Sequence, residues 1–400
     1  MKRCDFFKLI SNFVAKSYEM AGLYIHIPFC KSRCIYCAFY STTQHERMEE
    51  YVDSLCKEME LRKTSHSTLH TPHSTLHTIY LGGGTPSQLS PALLRRLFHN
   101  IYKVYEVATD AEITMECNPD DVTPDYAKVI GELPINRVSM GAQTFSDERL
   151  RFLHRRHTSS QVKEAVELLR RNGIQNISID LMFGFPGETL QDWEEDICEA
   201  LALNVEHLSA YSLMIEEGTE LYRRYGSTGV REFENSKEDM EREMYETLID
   251  RLETAGFEHY EISNFAKKGF RSRHNSSYWN GTPYIGLGAA AHSYDIETRH
   301  WNIANLQTYI ERIRQGILPI EDTETLDGTT RYNDLITTAL RTREGINLTT
   351  LPPSFRDYLL QNAQKNIVRH LLEITDNHLH LTRQGLFVSD DVMSDLILLD

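Results

Sequence analysis

No apolar stretch in this 400-residue chain reaches the roughly 18 residues that would read as a bilayer-spanning helix, so no transmembrane segment is expected. Basic residues are in short supply. Against 58 Asp and Glu stand 42 Lys and Arg, leaving a formal charge of -16, the wrong sign for a phosphate backbone, whose binding needs a basic surface to displace counterions. A nucleic-acid partner is therefore not expected. Secretory features are missing too: Lys8, Asn12 and Lys16 interrupt the apolar start of the chain, and no small-residue cleavage site follows. Residues 1–19 read as an extension outside the fold, with Met20 as an alternative start, and the cytoplasm is the expected compartment. Seven cysteines, an odd number without a secretory signal, argue against a disulfide framework. Hydrophobic content of 40% and charged content of 25% are those of an ordinary globular protein, long enough for two or three domains.

The most informative shortage is local. Cys30, Cys34 and Cys37 lie within eight residues, directly after Leu23-Tyr-Ile-His-Ile-Pro-Phe, and no fourth cysteine stands beside them. The spacing C-x-x-x-C-x-x-C is expected to bring three thiolates to one point on a loop. A closed structural zinc site takes four ligands, whereas iron–sulfur clusters favour thiolates at spacings of their own. Three thiolates on a four-iron cluster would leave one iron open to a small molecule. Zinc with a remote fourth ligand, Cys56 or a histidine, is the competing reading. Cys4, Cys56, Cys117 and Cys198 are scattered singly and read as small buried apolar residues.

Short apolar strands alternate with amphipathic helices over the first two-thirds of the chain. Strands are predicted at Leu23–Ile27, Thr78–Leu81, Glu112–Cys117, Arg137–Met140, Ile177–Phe183 and His207–Leu213. Helices are predicted near His45–Lys63, Pro91–Tyr105, Pro124–Leu133, Gln161–Asn172 and Leu190–Asn204. Ser90 and Thr123, each followed by proline, and Thr189 with Asp192 three residues on, supply N-terminal caps, and Gly173 a C-terminal stop. Six β-α units in series imply a parallel sheet covered by helices, either a doubly wound sheet or a partial barrel, with ligands at the C-terminal strand ends in both. A helix over Ser236–Ala255 and a further strand after Gly256 are expected. Residues 301–400 read as a small, mostly helical C-terminal domain with a short β-like piece at His378–Thr382 and a winged-helix-like pattern. A tandem repeat, His66-Ser-Thr-Leu-His-Thr and His73-Ser-Thr-Leu-His-Thr around Pro72, reads as a polar surface-loop insertion over 64–77 rather than a metal site.

The second strand ends in Tyr80-Leu-Gly-Gly-Gly-Thr-Pro-Ser. Three glycines without Cβ atoms let backbone amides press against a ligand. The Lys-Ser/Thr of a Walker loop is missing, and so is a Rossmann fingerprint. Later strand ends add polar groups at the same mouth: Glu116 before Cys-Asn-Pro, Ser139 and Gln143 around Gly141, and Asp180 before Leu-Met-Phe-Gly-Phe-Pro-Gly. Together they suit a ligand carrying an ammonium, a carboxylate and a ribose.

With Tyr24-Ile-His-Ile-Pro-Phe-Cys, Cys34, Cys37 and the Gly82–Pro86 loop, the chain resembles the radical S-adenosylmethionine (SAM) superfamily from about Ala21 onward. More narrowly it resembles the branch of oxygen-independent coproporphyrinogen III dehydrogenases (HemN) and heme chaperones (HemW); the 64–77 insert is the main departure. The resemblance implies a partial (β/α)6 radical-SAM barrel over 20–300 and a HemN-type domain over 301–400. It implies a [4Fe-4S] cluster on Cys30, Cys34 and Cys37, its free iron chelated by S-adenosylmethionine. Tyr24, Gly83, Gly84, Thr85, Glu116, Gln143, Arg155 and Asp180 fall at the family's S-adenosylmethionine-contacting positions. The implied chemistry is reductive cleavage of a sulfonium, with the protein supplying binding and orientation.

Two features separate the branches. The dehydrogenases carry another cysteine two residues after the third ligand, where this chain has Phe39, and they have a longer N-terminal arm. His274-Asn-Ser-Ser-Tyr-Trp, preceded by Tyr260-Glu-Ile-Ser-Asn-Phe-Ala, resembles the H-N-x-x-Y-W stretch of the chaperones. On that resemblance His274, Tyr278 and Trp279 are expected heme contacts, through an imidazole able to ligate iron and flat apolar area for a porphyrin face. His292, after the glycines at 286 and 288, is a second candidate ligand. The expected function is heme delivery to a hemoprotein such as a respiratory enzyme. The alternative is oxidative decarboxylation of coproporphyrinogen III in porphyrin biosynthesis.

Overall fold

The computed structural model describes residues 20–64 and 75–399. Six parallel strands form in chain order: β1 (Met20–Ile27), β2 (Thr75–Gly83), β3 (Val107–Cys117), β4 (Arg137–Gln143), β5 (Asn176–Phe183) and β6 (His207–Ser212). Each is hydrogen-bonded to the next, and helices such as Met48–Thr64, Pro91–Val104, Pro124–Glu132, Ser159–Arg171 and Leu190–Ala202 intervene. The order 1-2-3-4-5-6 has no reversal. A doubly wound sheet needs one, so the architecture is the partial (β/α)6 barrel. The caps read from sequence are in place: Leu93 N–H donates to Ser90 Oγ at 3.4 Å, Tyr126 N–H to Thr123 Oγ1 at 3.3 Å, and Thr189 and Asp192 form a reciprocal capping box.

The sheet is longer than six strands. At one edge β7 (Phe257–Glu261) and β8 (Asn264–Lys267) form a hairpin, β8 antiparallel to β6, where the sequence predicted a single strand. At the other, β9 (Tyr284–Leu287) pairs parallel with β1 and carries β10 (His292–Tyr294), β11 (Thr298–Asn302) and β12 (Ile320–Thr325). The main sheet thus runs on to Thr325, beyond residue 300. A second hydrophobic cluster begins at Tyr332 and holds helices Gly328–Ala339 and Pro353–Val368 against a three-stranded antiparallel sheet. The expected helix at Ser236–Ala255 is part of a longer one, Glu220–Thr254, kinked at Gly226.

The expected extension 1–19 lies outside the described residues, as do positions 65–74 of the histidine repeat. The end of that insertion is corrected: Thr75–His77 begin β2 rather than ending a loop, because Leu76 pairs with Val107 and its side chain is buried. Among the described residues no helix is long and apolar enough to cross a membrane.

Candidate functional site

The pleat of the parallel strands sorts their side chains. Leu23, Ile25 and Ile27, Ile113 and Met115, Val138 and Met140, Ile177 and Ile179 are buried in one core with the helices. The alternating positions Tyr24, Glu116, Ser139 and Asp180 face the barrel interior. At the C-terminal strand ends this interior opens as a cavity of about 610 Å³. Its wall includes Cys30, Cys34 and Cys37, Gly83, Gly84, Thr85, Glu116, Gln143, Arg155 and Asp180.

The cysteine loop is closed at its base by Cys30 N–H donating to Thr42 O at 2.9 Å and Thr42 N–H donating to Pro28 O at 2.7 Å. All three thiols are free and half-buried. Thr85 Oγ1 donates to Cys30 Sγ at 3.4 Å and Arg155 Nη1 to Cys34 Sγ at 3.6 Å. Burial pushes the Cys30 thiol up and the Cys37 thiol up to about 11. Both are therefore protonated until a metal or a cation takes the place of the proton. The three thiols lie together on one wall of the cavity, and among the described residues no group of three His, Cys, Asp or Glu side chains stands in the geometry of a single bound metal ion.

The glycine loop is shaped by close approach. A Cβ on Gly84 would meet the Pro28 carbonyl carbon at 2.7 Å, and Gly83, at φ +110, lies against the His26 ring. Gly83 N–H donates to Glu116 Oε2 at 3.1 Å while Tyr80 Oη donates to Oε1 at 2.8 Å. Arg155 is anchored by Nη2 donating to Asn118 Oδ1 at 2.6 Å and to Gly141 O at 2.5 Å, and its Nε is buried without a partner. Gln143 adopts φ +69, a backbone conformation rare for side-chain-bearing residues, at a register shift between β4 and β5. Ser139 Oγ donates to Asp180 at 3.4 Å. The donor set fits a thiolate-held cluster: three thiols, a glycine cradle, and an arginine with an unsatisfied buried nitrogen facing one of them.

Burial pushes the Glu116 carboxyl up to about 7, against the opposing pull of the Tyr80 hydroxyl, and pushes Asp180 upward. Between about pH 4.5 and 7 the folded protein therefore holds a proton on Glu116 that the unfolded chain has lost, so stability falls as pH rises through this window. Urea denaturation at pH 5 and pH 8 is expected to show that fall, and Glu116→Gln is expected to reduce it. An unchanged slope in the variant would place the titration elsewhere.

Of the eight positions expected to contact S-adenosylmethionine, seven line the cavity. Tyr24 does not; its hydroxyl bonds His26 Nδ1 at 3.0 Å, and its ring stacks on Tyr80 at 6.3 Å. The expected heme contacts are elsewhere. His274 is fully buried, Nδ1 bonded to Thr78 Oγ1 at 2.8 Å and Nε2 to Tyr278 Oη at 2.9 Å, so neither ring nitrogen is free to bind iron in this arrangement. Burial drives its pKa down to about 3. Trp279 lies under the Arg341 guanidinium, 5.1 Å from the ring centroid. His292 is exposed on β10 and stacks on Trp301 at 5.8 Å. Sequence reasoning missed Arg137, a cavity residue that is 1% exposed with Nε and Nη1 unpartnered. The alternation Arg137, Ser139, Gly141, Gln143 was the available signal.

Fold and site together define a radical SAM protein. Residues 24–199 match the Radical SAM superfamily model, and residues 326–388 match the HemN C-terminal domain. A heme chaperone HemW of Bacillus subtilis is 35% identical over 381 residues, 93% of this chain and 98% of that protein. One of Escherichia coli is 35% identical over 273 residues, 68% of this chain and 69% of that protein. Among solved structures, coproporphyrinogen III oxidase (HemN) from Escherichia coli aligns with a TM-score of 0.80 at 20% identity, covering 98% of this chain and 93% of that one, a likeness of fold. The chain belongs to the HemW family, as the motifs around Cys30 and His274 implied.

Proposed function

We propose that this protein is a heme chaperone. In the cytoplasm it binds heme together with a [4Fe-4S] cluster and S-adenosylmethionine, and passes heme to a hemoprotein such as a respiratory enzyme. The observation that carries this reading is the 35% identity, over nearly the whole of both chains, to a protein named a heme chaperone. Phe39 supports it, standing where the dehydrogenases resembled have a further cysteine.

In this reading Cys30, Cys34 and Cys37 hold the cluster, Gly83, Gly84, Thr85, Glu116, Gln143, Arg155 and Asp180 hold S-adenosylmethionine, and Tyr24 backs the glycine loop through His26. When bound, these groups supply one-electron reduction of a sulfonium. The chain's own residues bind and orient. Thr85 and Arg155 donate toward two of the thiols, the glycines admit the ligand to the backbone, and Glu116 and Asp180 supply acceptors for an ammonium and ribose hydroxyls. Tyr80 and the Gly83 amide keep Glu116 turned into the cavity.

Hemin titration of the anaerobically reconstituted protein is the test. A saturable Soret shift at one heme per chain is expected, with no protoporphyrinogen formed from coproporphyrinogen III in the presence of S-adenosylmethionine and reductant. Absence of the shift would remove the chaperone reading, and robust decarboxylation would replace it with the dehydrogenase.

A further inference from the structure

Large apolar side chains rarely stay exposed together unless something covers them. Among the described residues, Phe39 is 73% exposed, Met214 62% and Tyr211 43%, and all three line the cavity that holds the cysteines. They come from separate parts of the chain. Phe39 follows Cys37 by two positions on the cysteine loop, Tyr211 stands near the end of β6, and Met214 lies just beyond it. The cysteine loop and the segment after β6 are tied to each other and to β5: Leu221 N–H donates to Ile35 O at 2.8 Å, and Leu213 N–H to Phe183 O at 2.8 Å. Ile35, Met182, Leu213 and Ile215 form a buried cluster there. The three exposed side chains are therefore mounted on packed backbone and give the mouth of one cavity an apolar lip, above the polar residues Glu116, Arg137 and Asp180.

We propose that this lip is the heme seat: a tetrapyrrole face packs on Phe39, Tyr211 and Met214 at the mouth of the cavity. This rests on the chaperone reading and gives it a place. The chemistry fits a flat apolar ring with carboxylates at its edge. Lys31 and Arg33 are exposed on the same loop as Phe39, two cations in a chain of net charge -16, and below the lip Arg137 keeps two buried guanidinium nitrogens unpartnered. His274, by contrast, is buried with both ring nitrogens hydrogen-bonded. A carrier that must give up its ligand is better served by an open apolar seat than by a buried one, because release then requires no unpacking of the core.

The full chain, reconstituted anaerobically, is titrated with hemin as wild type and as the triple variant Phe39→Ser, Tyr211→Ser, Met214→Ser. The variant is expected to bind at least tenfold more weakly, with unchanged iron content and circular dichroism, because the three side chains contribute little to the core. Affinity equal to wild type would overturn the seat. Carbene labelling of the wild-type protein gives a second readout that does not depend on the variant folding. Saturating hemin is expected to protect Phe39, Tyr211 and Met214 while leaving exposed Tyr102 labelled. No protection of the three would also overturn the proposal. If the lip instead buries against a second copy, wild type sediments as a dimer, the variant as a monomer, and heme affinity does not move, which again overturns it. Wild-type protein that binds no heme at all would remove the chaperone reading itself, a different result from a variant that binds normally.

Discussion

Replacing Cys34 with alanine is expected to leave the reconstituted protein without cluster iron and colourless, while its circular dichroism stays that of wild type. The loop carries three thiols and no local substitute. Cys56 sits on the helix Met48–Thr64, Cys198 donates no help from the surface of Leu190–Ala202, where it accepts from Arg251 Nη2 at 2.9 Å, and Cys117 is buried at the end of β3. A cluster held by two thiolates loses a third of its covalent anchorage, and Arg155 loses the sulfur it faces. The fold should be indifferent, since Cys34 is only half-buried and belongs to no hydrophobic cluster. Cys198→Ala, on the exposed helix face, should keep full iron. Iron and absorbance measured together decide the matter: a Cys34→Ala protein with wild-type iron would break the assignment, and a wild-type protein holding colourless tetrahedral zinc would break it more thoroughly.

The barrel was legible because its strands alternate apolar positions, packed under the helices, with polar ones facing the interior, and recur with the helices at a regular β-α spacing. Ile177–Phe183 falls inside β5 and Leu23–Ile27 inside β1. The caps were legible because they are local chemistry: a hydroxyl accepting from an amide three residues on needs no tertiary partner. The strands that extend the sheet beyond β1 were not. β9 contains a glycine and pairs with β1 across some 260 positions of sequence, so nothing local marks it as a strand. Gly286 sits within β9, where only the lack of a Cβ lets the His292 carbonyl oxygen approach, since a Cβ would meet it at 1.9 Å. The same division holds in the site. Motif residues on consecutive strand ends were found, since their spacing follows the β-α repeat. Arg137 shares the alternation of Ser139 and Gln143 and was legible but missed, whereas the exposed lip was not legible, because solvent exposure is settled by neighbours far away in the chain. The hydrogen bonds of His274 to Thr78 and Tyr278 were likewise out of reach of the sequence, since the first joins positions 196 apart.

A substitution far from the cysteines, Glu58→Leu, is expected to cost about 3–5 kcal/mol of stability. Glu58 and Arg62 are 0% and 3% exposed and pair at 2.8 Å within the helix Met48–Thr64. Glu58 also accepts from Tyr309 Oη at 2.7 Å, Gly288 N–H at 2.9 Å and Asn302 Nδ2 at 2.9 Å, while Arg62 donates to Asn302 Oδ1 at 3.0 Å. One carboxylate therefore joins this helix to the backbone after β9, to β11 and to the helix Leu306–Arg314. Removing it strands the Arg62 cation in a buried setting and orphans three donors, which costs more than the pair itself contributes. At roughly 1.2 °C per kcal/mol for a chain of 400 residues, the melting temperature should fall by about 4–6 °C. The consequence reaches the site through Tyr51 on the same helix, whose hydroxyl donates to His26 O at 2.8 Å and accepts from Ala289 N–H at 3.0 Å, bracing β1 just before it releases the cysteine loop. The double variant Glu58→Met, Arg62→Met should recover much of the loss, because it removes the stranded charge as well as the bridge. If the single variant melted like wild type, Arg62 would have found another counter-charge, and the helix would not depend on this pair. If the double variant melted as low as the single, the lost hydrogen bonds to Gly288 and Tyr309 would be the dominant cost.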